Sequence, residues 1–230
     1  MSRKLTRNRS KIIKEISKKK YSLEEGIILL KKINFVKFDA SVDISVNLGV
    51  DVRSPNQMIR GTVKLPYGKG KNVRILALVD KDKELKAKNA GADYIGLDYI
   101  EKIKSGWKTN KIDVIVVTPS IMNQLGVIGK ILGPKGLMPN PKMDTVSSNP
   151  EKSIKEIKSG KIFFKSDRYG IVHSSIGRVS FSKKYLLDNI KEFMKIIIRN
   201  KPSTSKGNYI KNIHLSTTMG FSISLDSKIF

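Results

Sequence analysis

Chemistry needs reactive side chains held close together, and this chain of 230 residues offers few candidates. His173-Ser174-Ser175 has the residue types of a hydrolytic site. A nucleophilic serine needs a sharp strand-turn-helix elbow, however, and the residues around this triplet read as continuous strand. A histidine hydrogen-bonded on a sheet face accounts for them better. Gly68-Lys69-Gly70 precedes a strand, whereas a dinucleotide fingerprint puts its glycines between strand and helix. Gly126-Val-Ile-Gly129-Lys130 lacks the spacing of a phosphate-binding loop and falls within a helical stripe. There is no cysteine, and His173 and His214 are the only histidines, so thiolate chemistry is excluded and a zinc site lacks ligands. The expectation is a protein without catalytic activity, metal or cofactor. A parallel sheet in the middle of the chain keeps one alternative open, a nucleotide-binding enzyme.

Recognition chemistry is better represented. Lys and Arg number 45 against 20 Asp and Glu, a net charge of +25 that a polyanion would relieve. Most of it is lysine, which suits phosphate contacts rather than base reading. Drift toward lysine codons would give the same excess, and a generic basic coat is the second alternative. Ser216-Thr-Thr-Met-Gly220 clusters hydroxyls with a flexible thioether before a glycine. Such a cluster suits sugar edges and 2′-hydroxyls, although an ordinary strand end would look the same.

The element that must present these groups is the stretch 41–51. Val42, Ile44, Val46, Leu48 and Val50 alternate there with Ser41, Asp43, Ser45, Asn47 and Gly49. A period of two puts the branched side chains on one face of a strand and leaves the other short and polar. Before it, residues 1–20 form a basic arm with nine Lys/Arg against Glu15. Ser22-Leu-Glu-Glu25 fits a capping box, and Leu23, Ile27 and Leu30 carry a helix to about Lys32. After it, Arg60–Pro66 is extended and residues 67–71 make a glycine-punctuated turn.

From Val73 to Gly160 the pattern changes. Short strands at 74–79, 92–95 and 112–117 alternate with helices at 81–90, 99–104, 120–132 and 150–158, as in a parallel sheet covered on both faces. Ser120 is expected to cap the third helix, whose stripe is Ile121, Leu125, Ile128 and Leu132. The alternating style then returns. Residues 161–165 and 171–175 read as a hairpin around Ser166–Gly170. Ser182 caps a helix burying Leu186, Leu187, Ile190, Phe193, Met194, Ile197 and Ile198, and 209–219 is a last strand with Ile213 and Leu215 inward. The fold expected is α/β (α+β) with two domains. Residues 1–67 and 161–230 form a discontinuous α+β domain, and 68–160 an inserted Rossmann-like domain hinged at Gly68, Gly70 and Gly160. No apolar run approaches the ~18 residues of a membrane span, and no signal-peptide core is evident, so a cytoplasmic location is expected.

Five segments carry a specific resemblance: Lys37-Phe38 leading into SVDISVNLGVD, Arg60-Gly-Thr-Val with Leu65-Pro66, Leu132-Gly-Pro-Lys-Gly-Leu-Met-Pro-Asn-Pro-Lys142, Gly170-Ile-Val-His173, and Ser216 to Gly220. With these the chain resembles, over essentially its whole length, the bacterial large-subunit ribosomal protein L-one family of the mobile stalk beside the tRNA exit site. The resemblance implies a discontinuous domain that binds a stalk element of large-subunit rRNA, with the protein a monomer within the ribosome. It also implies a role in moving deacylated tRNA out of the exit site, and repression of the protein's own operon mRNA. The RNA surface it implies is Glu25, Phe38, Ser41, Thr218, Met219 and Gly220. The sheet-face reading adds His173, Ser216 and Thr217, and the basic residues Lys37 and Arg168 complete the expected RNA-binding set. For Glu25, capping and RNA contact compete for one carboxylate. Departures are Tyr67 where histidine is usual, Gly26 where alanine is common at a cost of ~1 kcal/mol, and Phe221-Ser-Ile-Ser at the C-terminal tip.

Overall fold

The structure, a computed structural model, describes residues 19–51, 57–107, 109–205 and 207–227. Apart from Lys19 and Lys20, the basic arm expected over 1–20 lies outside the described residues. The chain divides into two compact units, one running to Gly70 and resuming at Phe164, the other Lys71–Phe163. Sequence spacing put these boundaries at 67/68 and 160/161.

The first unit contributes α1 (Leu23–Lys32), β1 (Ser41–Leu48) and β2 (Arg60–Lys64) before the second unit. After it come β6 (Lys161–Lys165), β7 (Ile171–Arg178), α7 (Lys183–Arg199), β8 (Ile210–Thr217) and β9 (Ile223–Leu225). The capping box forms: Ser22 Oγ accepts from Glu25 N at 3.3 Å, and Glu25 Oε2 accepts from Ser22 N at 3.4 Å. In β1 the even-numbered residues Val42 to Leu48 are buried and the odd-numbered ones half-exposed. This strand is central. The sheet order is β7-β1-β8-β9, antiparallel throughout, and α1 and α7 pack against it.

Two details of this unit depart from the sequence reading. In α7, Ile198 is exposed and Leu187 half-buried, while Asn189 is completely buried. Burial is tolerable because its amide is saturated: Oδ1 accepts from Tyr67 N at 3.3 Å, and Nδ2 donates to Gly68 O at 3.1 Å and Ile176 O at 2.8 Å. Asn189 therefore fastens residues 67 and 68 to α7. Nor do β6 and β7 form the expected hairpin. β7 joins β1, whereas β6, whose Phe164 and Lys165 lie in this unit, pairs with β2, and only a single bridge, Ser166–Val172, links them. Ser166 is the cause, because its N–H donates to Ile59 O at 2.9 Å and its buried hydroxyl accepts from Ile59 N at 3.2 Å.

The short β9 has no counterpart in the sequence reading. It brings Leu225 under α1, where a Cβ on Gly26 would lie 2.6 Å from Leu225 Cδ2. That proximity explains a glycine in a helix.

The second unit contains β3 (Ile75–Leu78), α2 (Lys81–Asn89), β4 (Tyr94–Ile95), α3 (Asp98–Lys104), β5 (Val114–Val117), α4 (Met122–Leu125), α5 (Gly129–Leu132) and α6 (Pro150–Lys158). β3 runs parallel to both β4 and β5. All of β3 is buried: Ile75 and Ala77 pack with Ala87, Ile154 and Ile157 on one side, Leu76 and Leu78 with Ile103, Leu125 and Ile128 on the other. The stripe at 121–132 is buried as expected, but its helix is broken into short α and 3-10 turns at Gly126 and Gly129. Ser120 is not its cap. Thr118 precedes the first turn, and Ser120 Oγ donates to Asp80 Oδ2 at 3.0 Å. Among the described residues, no helix is long and apolar enough to cross a membrane.

Beside β8, Tyr209 donates its hydroxyl to Ile197 O at 3.0 Å, and burial pushes its phenol up to about 12. A phenol held neutral in the fold but ordinary in the unfolded chain withdraws stability as pH rises from about 10 through 12. Tyr209→Phe should cost about 1 kcal/mol at neutral pH through the lost hydrogen bond. It should also flatten the alkaline fall of the urea midpoint, and an absorbance titration should find one phenol titrating at about 12 in the wild type and none there in the variant.

Candidate nucleic-acid interface

The outward residues of β1 build the site with their cross-strand neighbours. The register sets His173 and His214 on either side of Ser45, Ser175 and Ser216 on either side of Asp43, and Arg178 beside Ser41. Ser45 Oγ lies 3.0 Å from His173 Nδ1, and His173 Nε2 lies 3.5 Å from Asp167 Oδ2. Serine, histidine and aspartate in line have the composition of a hydrolytic triad. Yet β1 is paired on both edges, so its backbone donors are engaged and no free pair of N–H groups remains to hold an oxyanion. The array instead fixes the His173 ring on the open face.

Where β1 begins and β8 ends, the chain is tied tightly. Ser41 N donates to Thr218 Oγ1 at 3.1 Å, Thr218 N to Ser41 O at 3.1 Å, and Gly220 N to Thr217 O at 2.8 Å. Between these ties Met219 is forced to φ 67, a left-handed backbone, with its side chain 62% exposed. For a residue with a Cβ this costs on the order of 1 kcal/mol. Phe38, three residues before Ser41, is 54% exposed. Its loop is pinned by Asp39, whose carboxylate accepts from Ser180 N at 3.0 Å and Ser180 Oγ at 2.8 Å and whose carbonyl accepts from Arg178 at 2.8 Å.

Lys37, Phe38, Ser41, Ser216, Thr218 and Met219 thus gather at one end of the sheet. Thr217 does not join them. Strand alternation turns its side chain inward, 4% exposed, which corrects the expectation that it faces a ligand. Gly220 also has an internal reason to be glycine, since a Cβ there would run into the Thr217 hydroxyl. Glu25 is exposed and engaged in its cap. Arg168 is exposed in the turn at the opposite end of the face. The expected hinge glycines all have left-handed backbones: Gly68 and Gly70 in the first unit at φ 65 and 70, and Gly160 in the second at φ 106. A Cβ on Gly70 would meet Arg178 Cγ at 2.8 Å. His214 and Arg178 escaped the sequence reading. For His214 the signal was present, because a period of two between Ile213 and Leu215 points it outward.

Asp167 organises the turn between β6 and β7. Burial raises its carboxyl, but the backbone donors of Ile171 and Tyr169, both at 2.8 Å, and the nearby His173 outweigh that and hold it below the usual carboxylate range. Among the described residues no cluster of three or more His, Cys, Asp or Glu could hold a metal.

A discontinuous α+β unit that presents one open polar sheet face, on a strongly basic chain, is the class of surface that suits a polyanion such as nucleic acid. Residues 30–221 match the model of the Ribosomal protein L1p/L10e family, and the chain belongs to that family of structural, non-enzymatic proteins. It is 56% identical to the Large ribosomal subunit protein uL1 of Phocaeicola vulgatus, covering 98% of this chain and 97% of that protein. The same-named proteins of Porphyromonas gingivalis (56%, 91% of this chain and 90% of that one) and Flavobacterium psychrophilum (53%, 98% of each) are similar too.

Asp167→Ala should lower the unfolding free energy by about 1 kcal/mol at neutral pH, and Asp167→Asn by less because an acceptor remains. A depressed carboxyl supports the fold fully above the ordinary carboxylate range and loses that contribution as pH falls below it through its own lower value. The gap between the urea midpoints of wild type and Asp167→Ala should therefore narrow progressively as pH falls below the ordinary carboxylate range.

Proposed function

We propose that this chain is a structural protein of the large ribosomal subunit that binds large-subunit rRNA through the open face of β1. There it forms the mobile stalk at the exit site and aids release of deacylated tRNA; free in the cytoplasm, it represses translation of its own operon mRNA. The observation that carries the RNA reading is Met219, a strained apolar side chain left in water. The backbone ties on either side hold it in that strained conformation, and the side chain they present is left exposed where a ligand can reach it. Together with Phe38 it gives an apolar rim to a face of small hydroxyls at Ser41, Ser45 and Ser216. Asp43 between Ser175 and Ser216 is suited to accept from a 2′-hydroxyl and disfavours phosphate, a preference for the sugar edge of RNA over DNA. Lysines and arginines supply affinity for the backbone.

The stalk and messenger roles rest on likeness to the family. A messenger repressed by this protein would carry a mimic of the rRNA site and compete for the same face. Movement of the stalk is supported by glycines at the linkers. Asn189 holds Gly68, and Gly70 packs on Arg178, so bending falls beyond Gly70 and around Gly160.

Met219→Gly separates fold from function. Its unfolding free energy should stay level or rise by up to about 1 kcal/mol as strain is relieved. Its affinity for a large-subunit rRNA stalk fragment should fall about tenfold or more, and Phe38→Ala should do likewise. Wild-type affinity in both variants would overturn this reading.

A further inference from the structure

We propose that Tyr169 is a stacking platform for an unpaired RNA base, at the end of the sheet face away from Met219; this rests on the RNA-binding reading above. Tyr169 is 82% exposed, more than any other large apolar or aromatic residue described. Among the described residues its ring has no aromatic or cationic partner, unlike Tyr67, which stacks on Tyr185 at 4.0 Å, or Tyr99, covered by Lys102.

The turn that carries it is rigid for reasons unrelated to the ring. Asp167 Oδ1 accepts from Tyr169 N and Ile171 N, Asp167 N donates to Ile171 O at 2.9 Å, and Gly170 N donates to Asp167 O at 3.3 Å. Gly170 adopts φ 75 and lies so close to β1 that a Cβ would be 3.3 Å from Leu48 O, and its own carbonyl accepts from Leu48 N at 3.0 Å. Folding therefore asks for Asp167 and Gly170 but nothing of the Tyr169 side chain. A polar residue would serve position 169, yet a large ring is held out in water on a fixed backbone. Such a ring loses little freedom on binding, and stacking is the contact it can offer.

The charges around it select the ligand. Lys165 and Arg168 are exposed and attract a polyanion. The depressed Asp167 carboxylate beneath the turn disfavours a phosphate against the ring and leaves the neutral face of a base. A paired base inside a helix presents no free face, so the base must be unpaired.

Two measurements test this. Tyr169→Ala should bind the large-subunit rRNA stalk fragment about 5- to 150-fold more weakly, with the slope of affinity against salt unchanged, while Tyr169→Phe stays within about twofold of wild type. Arg168→Ala should instead lower that slope by about one contact. Tyr169→Trp should have its fluorescence quenched by single-stranded RNA and by the stalk fragment but not by duplex RNA, with wild type, whose only indole is Trp107, as control. Unchanged affinity in Tyr169→Ala, equal loss in Tyr169→Phe, or an unquenched indole would overturn the proposal. Failure of the broader RNA reading looks different: the wild type would bind rRNA and duplex DNA alike, while quenching by single-stranded RNA persisted.

Discussion

The structure depends on β1 being hydrogen-bonded along both edges by strands from the far end of the chain. Ser41 and Thr218, which lock the start of that strand, are 177 residues apart in sequence. Closing so long a loop is slow, because pairing rewards the chain only after the ends have met. It is not prohibitive, since each doubling of loop length costs only about 0.6 kcal/mol. The Lys71–Phe163 unit can therefore sit inside the loop, with its own parallel sheet and its own cores. With both edges of β1 satisfied and its apolar side covered by α1 and α7, only one face remains for a ligand.

That face is organised by ties that act elsewhere. The bonds from Ser41 and Gly220 shape the backbone around Met219, Asp39 steadies the loop of Phe38, and Asp167 orders the turn beyond His173. Side chains aimed at solvent are thus held by neighbours aimed at the backbone. Several hydroxyls that look available in the sequence serve this second purpose. Thr218 accepts from Ser41 N, and Thr217 is buried. The density of hydroxyls at 216–218 consequently overstates how many can reach a ligand.

Local signals were legible in the sequence, and choices of distant partner were not. The alternation of β1, the capping box at Ser22 and Glu25, and the continuously apolar β3 and β5 follow from periodicity within one segment. The pairing of β6 with β2 depends on Ser166 meeting Ile59, 107 residues away, so the expected hairpin was the wrong choice between two strands of similar character. β9 is three residues long and exists because Ile223 and Leu225 pair with Leu215 and Ile213. Asn189 reads as a solvent-facing break in a helix stripe until its partners, more than 120 positions back at residues 67 and 68, are in place. Of the proposed site, Ser41 and Met219 were legible as types, and Phe38 entered through the family resemblance. The left-handed strain that singles out Met219 is set by tertiary bonds on either side of it.

The central claim is that the β1 face gives this basic chain a shape-specific RNA site rather than charge alone. The most direct test is equilibrium binding of the wild-type protein to a large-subunit rRNA stalk fragment over rising salt, with duplex DNA as competitor. Phosphate contacts weaken with a log-log slope of roughly −0.7 to −0.9 each, whatever nucleic acid carries them. The account predicts that rRNA binding persists at salt concentrations where DNA no longer competes. If the two affinities fall together, charge alone is at work and the sheet face is not a specific site.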